Sequence, residues 1–263
     1  MPVSAFLSAE RTAVDNPAER PIRERQLAAY HRALEYAAGR RLLEVGCGEG
    51  LGTFLLATRA ASVTALDYSR VALEVARKRC ESVSVQFLLM EVPPIGFPDS
   101  TFEVVVCFQM LEHLAEPNKL IDEIHRVLCK DGIALLATVN KDEIITNNPY
   151  HLSEYSPREF EKLLTNHFKT VDLYGVFGDE LFAEYWKSNR SWARSFLSLD
   201  VFNLSSHLPR PLRQTLFDII SRMMRMSLKR KDPGLCDTIT HENFIFRLGD
   251  FSGCLDLFAV CRK

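Results

Sequence analysis

Glu44 sits near the end of the short apolar run Arg41-Leu42-Leu43-Glu44-Val45, directly before the turn Gly46-Cys47-Gly48-Glu49-Gly50-Leu51-Gly52. Alternating glycines permit positive φ and let a ligand approach the backbone with no Cβ in the way. Asp67 closes the next apolar run, Val63-Thr64-Ala65-Leu66. It lies about 20 residues beyond the turn's first glycine, the spacing at which a carboxylate meets the two hydroxyls of a ribose. A carboxylate ending a buried strand is costly without a partner, which favours a ligand-binding role for Asp67. The chemistry these residues suit is the binding of a nucleoside.

The spacing limits which nucleoside. A dinucleotide site requires G-x-G-x-x-G; from Gly46 the third glycine falls on Leu51, and from Gly48 it falls on Thr53. No Gly-Lys-Ser/Thr follows, so the phosphate-loop pattern fails too. What stands is Glu-x-Gly-x-Gly-x-Gly, a turn for a nucleoside without a pyrophosphate, with Glu44 placed to attract an amine. Gly50 and Gly52 serve either that ligand or helix–strand packing, and Cys47 reads as a small space-filler rather than a nucleophile.

These residues need a scaffold that brings the ends of neighbouring strands together. Leu27, Tyr30, Leu34 and Ala38 have helical spacing within residues 22–38, and Gly39 ends that helix. Short apolar strands follow at 41–45, 63–67, 85–89, 102–108 and 133–139, with helices between them. Ser69 is a candidate N-cap for a helix from Arg70 to Cys80, and Pro117 opens another to Leu128, after which Lys130-Asp131-Gly132 reads as a turn. Ser156-Pro157-Arg158-Glu159 has the pattern of a capping box with proline in the first turn. Thr170–Val176 and Cys254–Cys261 read as the sixth and seventh strands. The expected fold class is α/β, a doubly wound, mostly parallel seven-stranded sheet with helices on both faces and a helical insertion before the last strand. The expected organisation is a single domain over 1–263 containing an insertion at 177–243. Ligands in such sheets bind beyond the carboxyl ends of the strands, where strand order reverses, and the polar motifs fall there.

Five motifs in order resemble the class I, Rossmann-like S-adenosylmethionine-dependent methyltransferases, in particular the small-molecule group that resembles quinone- and glycan-associated enzymes. They are Leu43–Gly50; Ala65-Leu66-Asp67-Tyr68-Ser69; Phe97–Val105; Leu111-Glu112-His113-Leu114; and Leu128–Gly132. The resemblance covers roughly residues 25–175 and the last strand. It implies methyl transfer from S-adenosylmethionine, with S-adenosylhomocysteine as product. By position it implies that Gly46, Cys47 and Gly48 line the methionine part with Glu44 nearby. Asp67 would bind the ribose, and Tyr68 would lie against the adenine. Glu91 stands where the family often has an aspartate reaching the adenine amino group. Gln109 would lie under the cofactor's amino-acid end, and Tyr30 near its carboxylate, although the arginine that usually precedes it is Ala29.

For the acceptor, Asn147–Pro157 is rich in polar and aromatic groups and resembles a segment of glycan- or lipid-modifying members. Tyr150, His151, Glu154 and Tyr155 are the candidate substrate-binding residues; one helical turn would bring the last three to one face. An oxygen acceptor must lose its proton, and a histidine suits that at neutral pH. His151 is the first candidate base and His113 the second; either histidine also suits the role of fastening its loop. The implied acceptor is a small molecule, a glycan or a lipid-linked compound. The insertion holds helices near Phe182–Leu199 and Pro211–Lys229. In the second, Leu212, Leu216, Ile219, Ile220 and Met223 mark an apolar face beside Arg213, Arg222, Arg225, Lys229, Arg230 and Lys231, a pattern of a helical cap or of peripheral membrane contact through 211–231.

Composition sets the outer bounds. The 263 residues carry a formal net charge of -2, so nucleic acid is not expected as the partner. The seven cysteines, Cys47, Cys80, Cys107, Cys129, Cys236, Cys254 and Cys261, show no C-x-x-C pair and no zinc-ligand spacing; reduced, buried thiols and no metal are expected. Met1–Arg25 lacks an apolar leader core, and no run reaches the roughly 18 apolar residues of a membrane span, so a cytoplasmic location is expected. Two other readings stay open at this level: a protein that binds S-adenosylmethionine without transferring methyl, and a nicotinamide-dependent oxidoreductase. Oligomeric state is not encoded in any pattern found.

Overall fold

The structure, a computed structural model, describes residues 16–144, 148–197 and 208–263. The first 15 residues, Asn147 of the acceptor segment and the last two residues of the helix expected to end at Leu199 lie outside the described residues. The chain divides into two compact units, a sheet unit of 27–143, 152–177 and 246–263, and a helical unit of 1–26, 144–151 and 178–245.

The sheet unit is built on one eight-stranded sheet in the order β3-β2-β1-β4-β5-β8-β6-β7. The strands are β1 (Arg41–Val45), β2 (Ser62–Asp67), β3 (Val85–Leu89), β4 (Phe102–Phe108), β5 (Leu128–Val139), β6 (Thr170–Gly178), β7 (Phe244–Leu248) and β8 (Asp256–Arg262). β1 to β5 pair in parallel, and β8 lies antiparallel between β5 and β6. The fold is the expected mostly parallel α/β sheet, corrected in two places. There are eight strands rather than seven, because Phe244–Leu248 adds an edge strand where the sequence suggests only the end of an insertion. β5 begins at Leu128, so Lys130-Asp131-Gly132 lies within the strand; a register shift between Phe102 and Val104 of β4, with Asp131 at φ 61°, absorbs the irregularity.

The central strands are apolar because helices cover both faces, as the continuous burial of Val104–Phe108 requires. In α4 (Pro117–Val127), Leu120, Ile121, Ile124 and Val127 form one fully buried face, each side chain contributing about 1.5–3 kcal/mol. Proline stands in the first turn of α4, where its missing N–H costs nothing. α1 (Arg20–Ala37) ends at Gly39, whose φ of 69° suits the residue past a helix end. α2 (Leu51–Ala57) and α3 (Arg70–Arg79) return the chain between β1, β2 and β3; Ser69 caps α3 by accepting from Ala72 N–H at 3.3 Å. α5 (Pro157–Thr165) starts with the expected capping box, Ser156 and Glu159 satisfying each other's backbone N–H.

Strand order reverses between β1 and β4. β2 and β3 lie to one side of β1, and β4 and β5 to the other. The carboxyl ends of β1, β2 and β4 therefore set the glycine turn, Asp67 and Gln109 around the crevice where such sheets bind ligands.

The helical unit contains α6 (Glu180–Leu197), α7 (Arg210–Lys231) and α8 (Pro233–Thr238). Phe182 packs against Tyr185, Trp186 and Phe244. Glu19, 2% exposed, pairs with Arg225, and Arg25 lies over the Trp186 ring at 5.0 Å. All seven cysteines are free thiols, six of them buried and Cys129 half-buried. Among the described residues no helix is long and apolar enough to cross a membrane.

Candidate active site

The turn after β1 is tied to the end of β2 through its backbone. Gly46 and Cys47 both donate to the Leu66 carbonyl at 2.9 Å. Gly48 N–H donates to Asp67 Oδ2 at 2.8 Å, and Ser69 N–H donates to Asp67 Oδ1 at 2.8 Å. Asp67 is 5% exposed, so both oxygens are held in a fixed orientation by main-chain donors.

The four glycines of the turn have different tasks. A Cβ on Gly52 would lie 2.0 Å from the Tyr30 ring, and one on Gly50 would lie 2.8 Å from the Ala76 methyl, so both are packing glycines. A Cβ on Gly46 would meet Met110 Sδ at 2.9 Å. Gly48, at φ 54°, has nothing within 4 Å of that position. The turn thus opens at Gly48, beside Asp67, while its neighbours close against protein. Cys47 is 5% exposed and packs with Ala65 and Leu73, a space-filling role that burial explains.

Glu44 lies under the turn, 1% exposed. Its Oε1 accepts from the Tyr30 hydroxyl at 2.9 Å and its Oε2 from the Thr53 hydroxyl at 2.6 Å. Burial pushes its carboxyl up to about 7; the two hydroxyls pull the other way, and the Asp67 charge adds to the rise. Burial and the neighbouring Glu44 raise the Tyr30 phenol well above its ordinary value. The Tyr30 ring is held edge-on by Phe108 at 4.9 Å. Tyr30 therefore acts on Glu44 through its hydroxyl. Thr53 is the residue that sequence reasoning missed: its only signal is a position nine residues past Glu44, and a threonine in a helix reads as a surface residue.

At the end of β4, Gln109 takes φ 51°, a left-handed conformation that costs a non-glycine residue about 1–3 kcal/mol and is found where function constrains the backbone. Its N–H donates to Ala137 O at 2.8 Å and its side-chain amide lies 3.4 Å from Asp256 Oδ1. Tyr68 is 70% exposed, an uncommon state for a large aromatic ring, and Glu91 is exposed beyond β3, tied to the same corner by Met90 N–H donating to Asp67 O.

His113 is half-buried in the short 3-10 turn Leu111–His113 after β4. Next to it Glu112, 1% exposed, accepts from the Thr138 hydroxyl at 3.0 Å, and its backbone carbonyl accepts from Leu152 and Ser153. Glu112 lies in the Leu111–Leu114 motif, which carries no role for it at the level of sequence; a glutamate between Leu111 and His113 just after a buried strand is the signal.

The acceptor segment does not take the helical turn that its spacing predicts. Residues 151–155 make no helical turn, so His151, Glu154 and Tyr155 share no helix face. Tyr155 is 8% exposed in the apolar core, its ring 5.8 Å from Phe160, because the segment there runs extended and bridges Asn140. Glu154 is half-buried. In the helical unit, the Tyr150 hydroxyl donates to Asp218 at 2.8 Å. Asn148 Nδ2, which can only donate, lies 2.9 Å from His151 Nε2, while its Oδ1 accepts from Tyr150 N–H. That arrangement makes Nε2 the acceptor and fixes the proton of the neutral ring on Nδ1.

Residues 43–136 match a family model described as a methyltransferase domain. The chain is 35% identical over 184 residues to a protein of Mycolicibacterium smegmatis named "Probable S-adenosylmethionine-dependent methyltransferase", covering 67% of this chain and 70% of that one. It is 26% identical over 171 residues to a ubiquinone biosynthesis O-methyltransferase of Psychrobacter cryohalolentis, covering 57% and 66%. The chain thus spans about two thirds of the length of these curated relatives. Among solved structures, an S-adenosylmethionine-dependent methyltransferase of Thermotoga maritima, titled a possible histamine N-methyltransferase, shares the fold with a TM-score of 0.57 at 14% identity, covering 92% of this chain and 91% of that one. The failed dinucleotide fingerprint, the open backbone at Gly48 beside Asp67 and the likeness to the mycobacterial protein agree. The chain belongs to the S-adenosylmethionine-dependent methyltransferases, and S-adenosylmethionine is its cofactor.

Proposed function

We propose that this methyltransferase transfers the methyl group to a hydroxyl oxygen of a small-molecule acceptor, with the cofactor seated between the glycine turn and Asp67. The observation that carries the cofactor's placement is the space over Gly48, a backbone position that opens next to a carboxylate already oriented by two N–H donors. S-adenosylmethionine supplies an activated methyl group on a sulfonium centre. The protein's own work is to align the acceptor and exclude water.

In this reading Gly46, Cys47 and Gly48 line the methionine part, and Asp67 accepts from the ribose hydroxyls. Tyr68, with its exposed ring, and Glu91 at the same corner bound the adenine. Gln109 lies under the amino-acid end. Glu44 supplies negative charge to the cofactor's ammonium, and Tyr30 and Thr53 are positioning residues that hold its carboxyl. A carboxyl that titrates near neutrality and accepts from two hydroxyl donors fits a cationic partner, because the cation draws it into the ionised form.

The relative named as a ubiquinone biosynthesis O-methyltransferase supports a small-molecule hydroxyl over a glycan or a lipid-linked compound. Such an acceptor gives up a proton during transfer. His113 is the favoured base: it follows β4 in the same unit as the glycine turn, whereas the Nε2 lone pair of His151 is taken up by Asn148. Tyr150, His151 and Glu154 remain the proposed acceptor-binding residues, each on its place in the sequence motif; Tyr155 is buried in the core of the sheet unit.

The test uses S-adenosylmethionine labelled in its methyl group with a panel of phenols, amines and thiols. Label recovered as a methyl ether supports the reading, and label found only on nitrogen or sulfur contradicts it. His113→Ala is expected to lower kcat by about 10²-fold or more at unchanged cofactor affinity. Unchanged turnover in His151→Ala removes His151 from proton transfer, and unchanged turnover in His113→Ala removes His113.

A further inference from the structure

α7 turns an apolar stripe outward. Leu212, Leu216, Ile219, Met223 and Met226 follow one another in steps of four and three residues, so they stack on a single face of the helix. Each is exposed: Leu212 by 56%, Leu216 by 38%, Ile219 by 51%, Met223 by 60% and Met226 by 44%. The inward side of the same helix is marked by buried Ser221 and Leu228 and by the Arg225 pair with Glu19. Phe217 and Leu228 already give the helix an apolar side against its own unit, so the exposed stripe is a second apolar face, carried on a helix of 22 residues, about 33 Å long.

The charge around the stripe has one sign. α7 carries Arg210, Arg213, Arg222, Arg225, Lys229, Arg230 and Lys231 against one acid, Asp218, in a chain whose net charge is -2. Asp218 lies off the stripe and accepts the Tyr150 hydroxyl. At 100° per residue Arg213 and Lys231 fall on one flank of the stripe and Arg222 on the other, with Arg230 in line with its C-terminal end. Basic side chains that flank an apolar strip reach headgroup phosphates while the strip enters the acyl boundary.

We propose that α7 is a membrane-surface helix that docks the enzyme on an anionic lipid bilayer, lying in the plane of the interface with Leu212, Leu216, Ile219, Met223 and Met226 inserted. Charge complementarity favours this occupant over a second copy of the chain. Pairing two α7 stripes sets the basic flanks of one copy against the basic flanks of the other, whereas an anionic surface attracts them, first through the exposed Arg230 and Lys231.

The test is co-sedimentation of the whole protein with phosphatidylcholine vesicles and with vesicles containing phosphatidylglycerol, at low and high salt. The protein is expected to pellet with the phosphatidylglycerol vesicles at low salt and to be partly released by high salt. I219E/M223E changes two exposed positions and is expected to weaken vesicle binding by about tenfold or more, with cofactor affinity and the circular-dichroism melt unchanged. If that variant melts early, R230E/K231E makes the same test through charge and is expected to weaken binding to the anionic vesicles. Wild-type protein that stays in the supernatant at low salt overturns the proposal, as does undiminished binding by a correctly folded variant. A wild-type dimer that I219E/M223E splits to monomers, with no vesicle binding, assigns the stripe to a second copy and likewise overturns it.

Discussion

Replacing Glu44 with glutamine removes a buried carboxyl that titrates near neutrality while keeping its shape. Burial lifts this group from an ordinary 4.5 to about 7. At 1.36 kcal/mol per pH unit the gap, 7 minus 4.5, corresponds to about 3 kcal/mol. Below pH 4.5 the group is protonated in both folded and unfolded chains and has no effect on the balance between them. From 4.5 to 7 the unfolded chain has lost the proton and the folded chain still holds it, so stability falls as pH rises. Above 7 both forms are ionised and the whole penalty is present. The glutamine amide does not titrate, but its nitrogen cannot accept from one of the two hydroxyls that now bond Glu44. That loss costs about 1 kcal/mol at every pH. The expected pattern is an offset that favours the wild type near pH 5, crossing over so that Glu44→Gln is the more stable near pH 8. The difference between the two proteins should move by about 2–3 kcal/mol across that range. Urea unfolding of cofactor-free protein, followed by circular dichroism at successive pH values, measures it. A difference that stays level from about pH 5 to about pH 8 refutes the reasoning, because a solvated carboxyl or one paired with a cation titrates well below this window.

The same carboxyl predicts that cofactor binding near neutral pH releases a proton, since an ammonium beside Glu44 favours its ionised form. Calorimetric titration in buffers of different ionisation enthalpy measures the release, which Glu44→Gln should abolish; equal heats in all buffers count against the contact. Gly48→Ala and Gly52→Ala separate ligand-facing from packing glycines. The first forces alanine to φ 54° at a cost of about 1–2 kcal/mol and puts a methyl into the ligand's space, so affinity should fall by about tenfold or more while the protein stays folded. The second drives a methyl into the Tyr30 ring 2.0 Å away and should lower unfolding stability by about 1–3 kcal/mol. Equal effects of the two on affinity and stability would contradict the assignment.

The parallel half of the sheet is legible in the sequence because each strand carries a short, mainly apolar run; only the start of β5 is hidden, where Lys130 and Asp131 interrupt it. β7 is not legible, since Phe-Ile-Phe-Arg-Leu is apolar at alternate and adjacent positions alike and lies half-exposed at the sheet's edge. Within the site, Glu44 and Asp67 stand out because a carboxylate on a buried strand needs a reason. Thr53 does not: only the left-handed turn at Gly50 sets α2 so that its hydroxyl reaches Glu44. Which glycine faces the ligand depends on neighbours from distant segments, Tyr30, Ala76 and Met110, which spacing cannot report. Tyr155 misleads for the opposite reason. Its polar neighbours in sequence suggest a ligand-facing ring, while the extended backbone directs it against Phe160.

Isothermal titration of S-adenosylhomocysteine into the wild-type chain and into Asp67→Ala bears most directly on where the cofactor sits. Hydrogen bonds to a charged group contribute about 1.5–3 kcal/mol each, so losing two ribose contacts should weaken binding by about 10²-fold or more, in a variant whose circular-dichroism spectrum still reports a folded sheet. A wild-type chain with no measurable affinity, or an Asp67→Ala chain that binds as tightly as wild type, would contradict a cofactor held between the glycine turn and the end of β2.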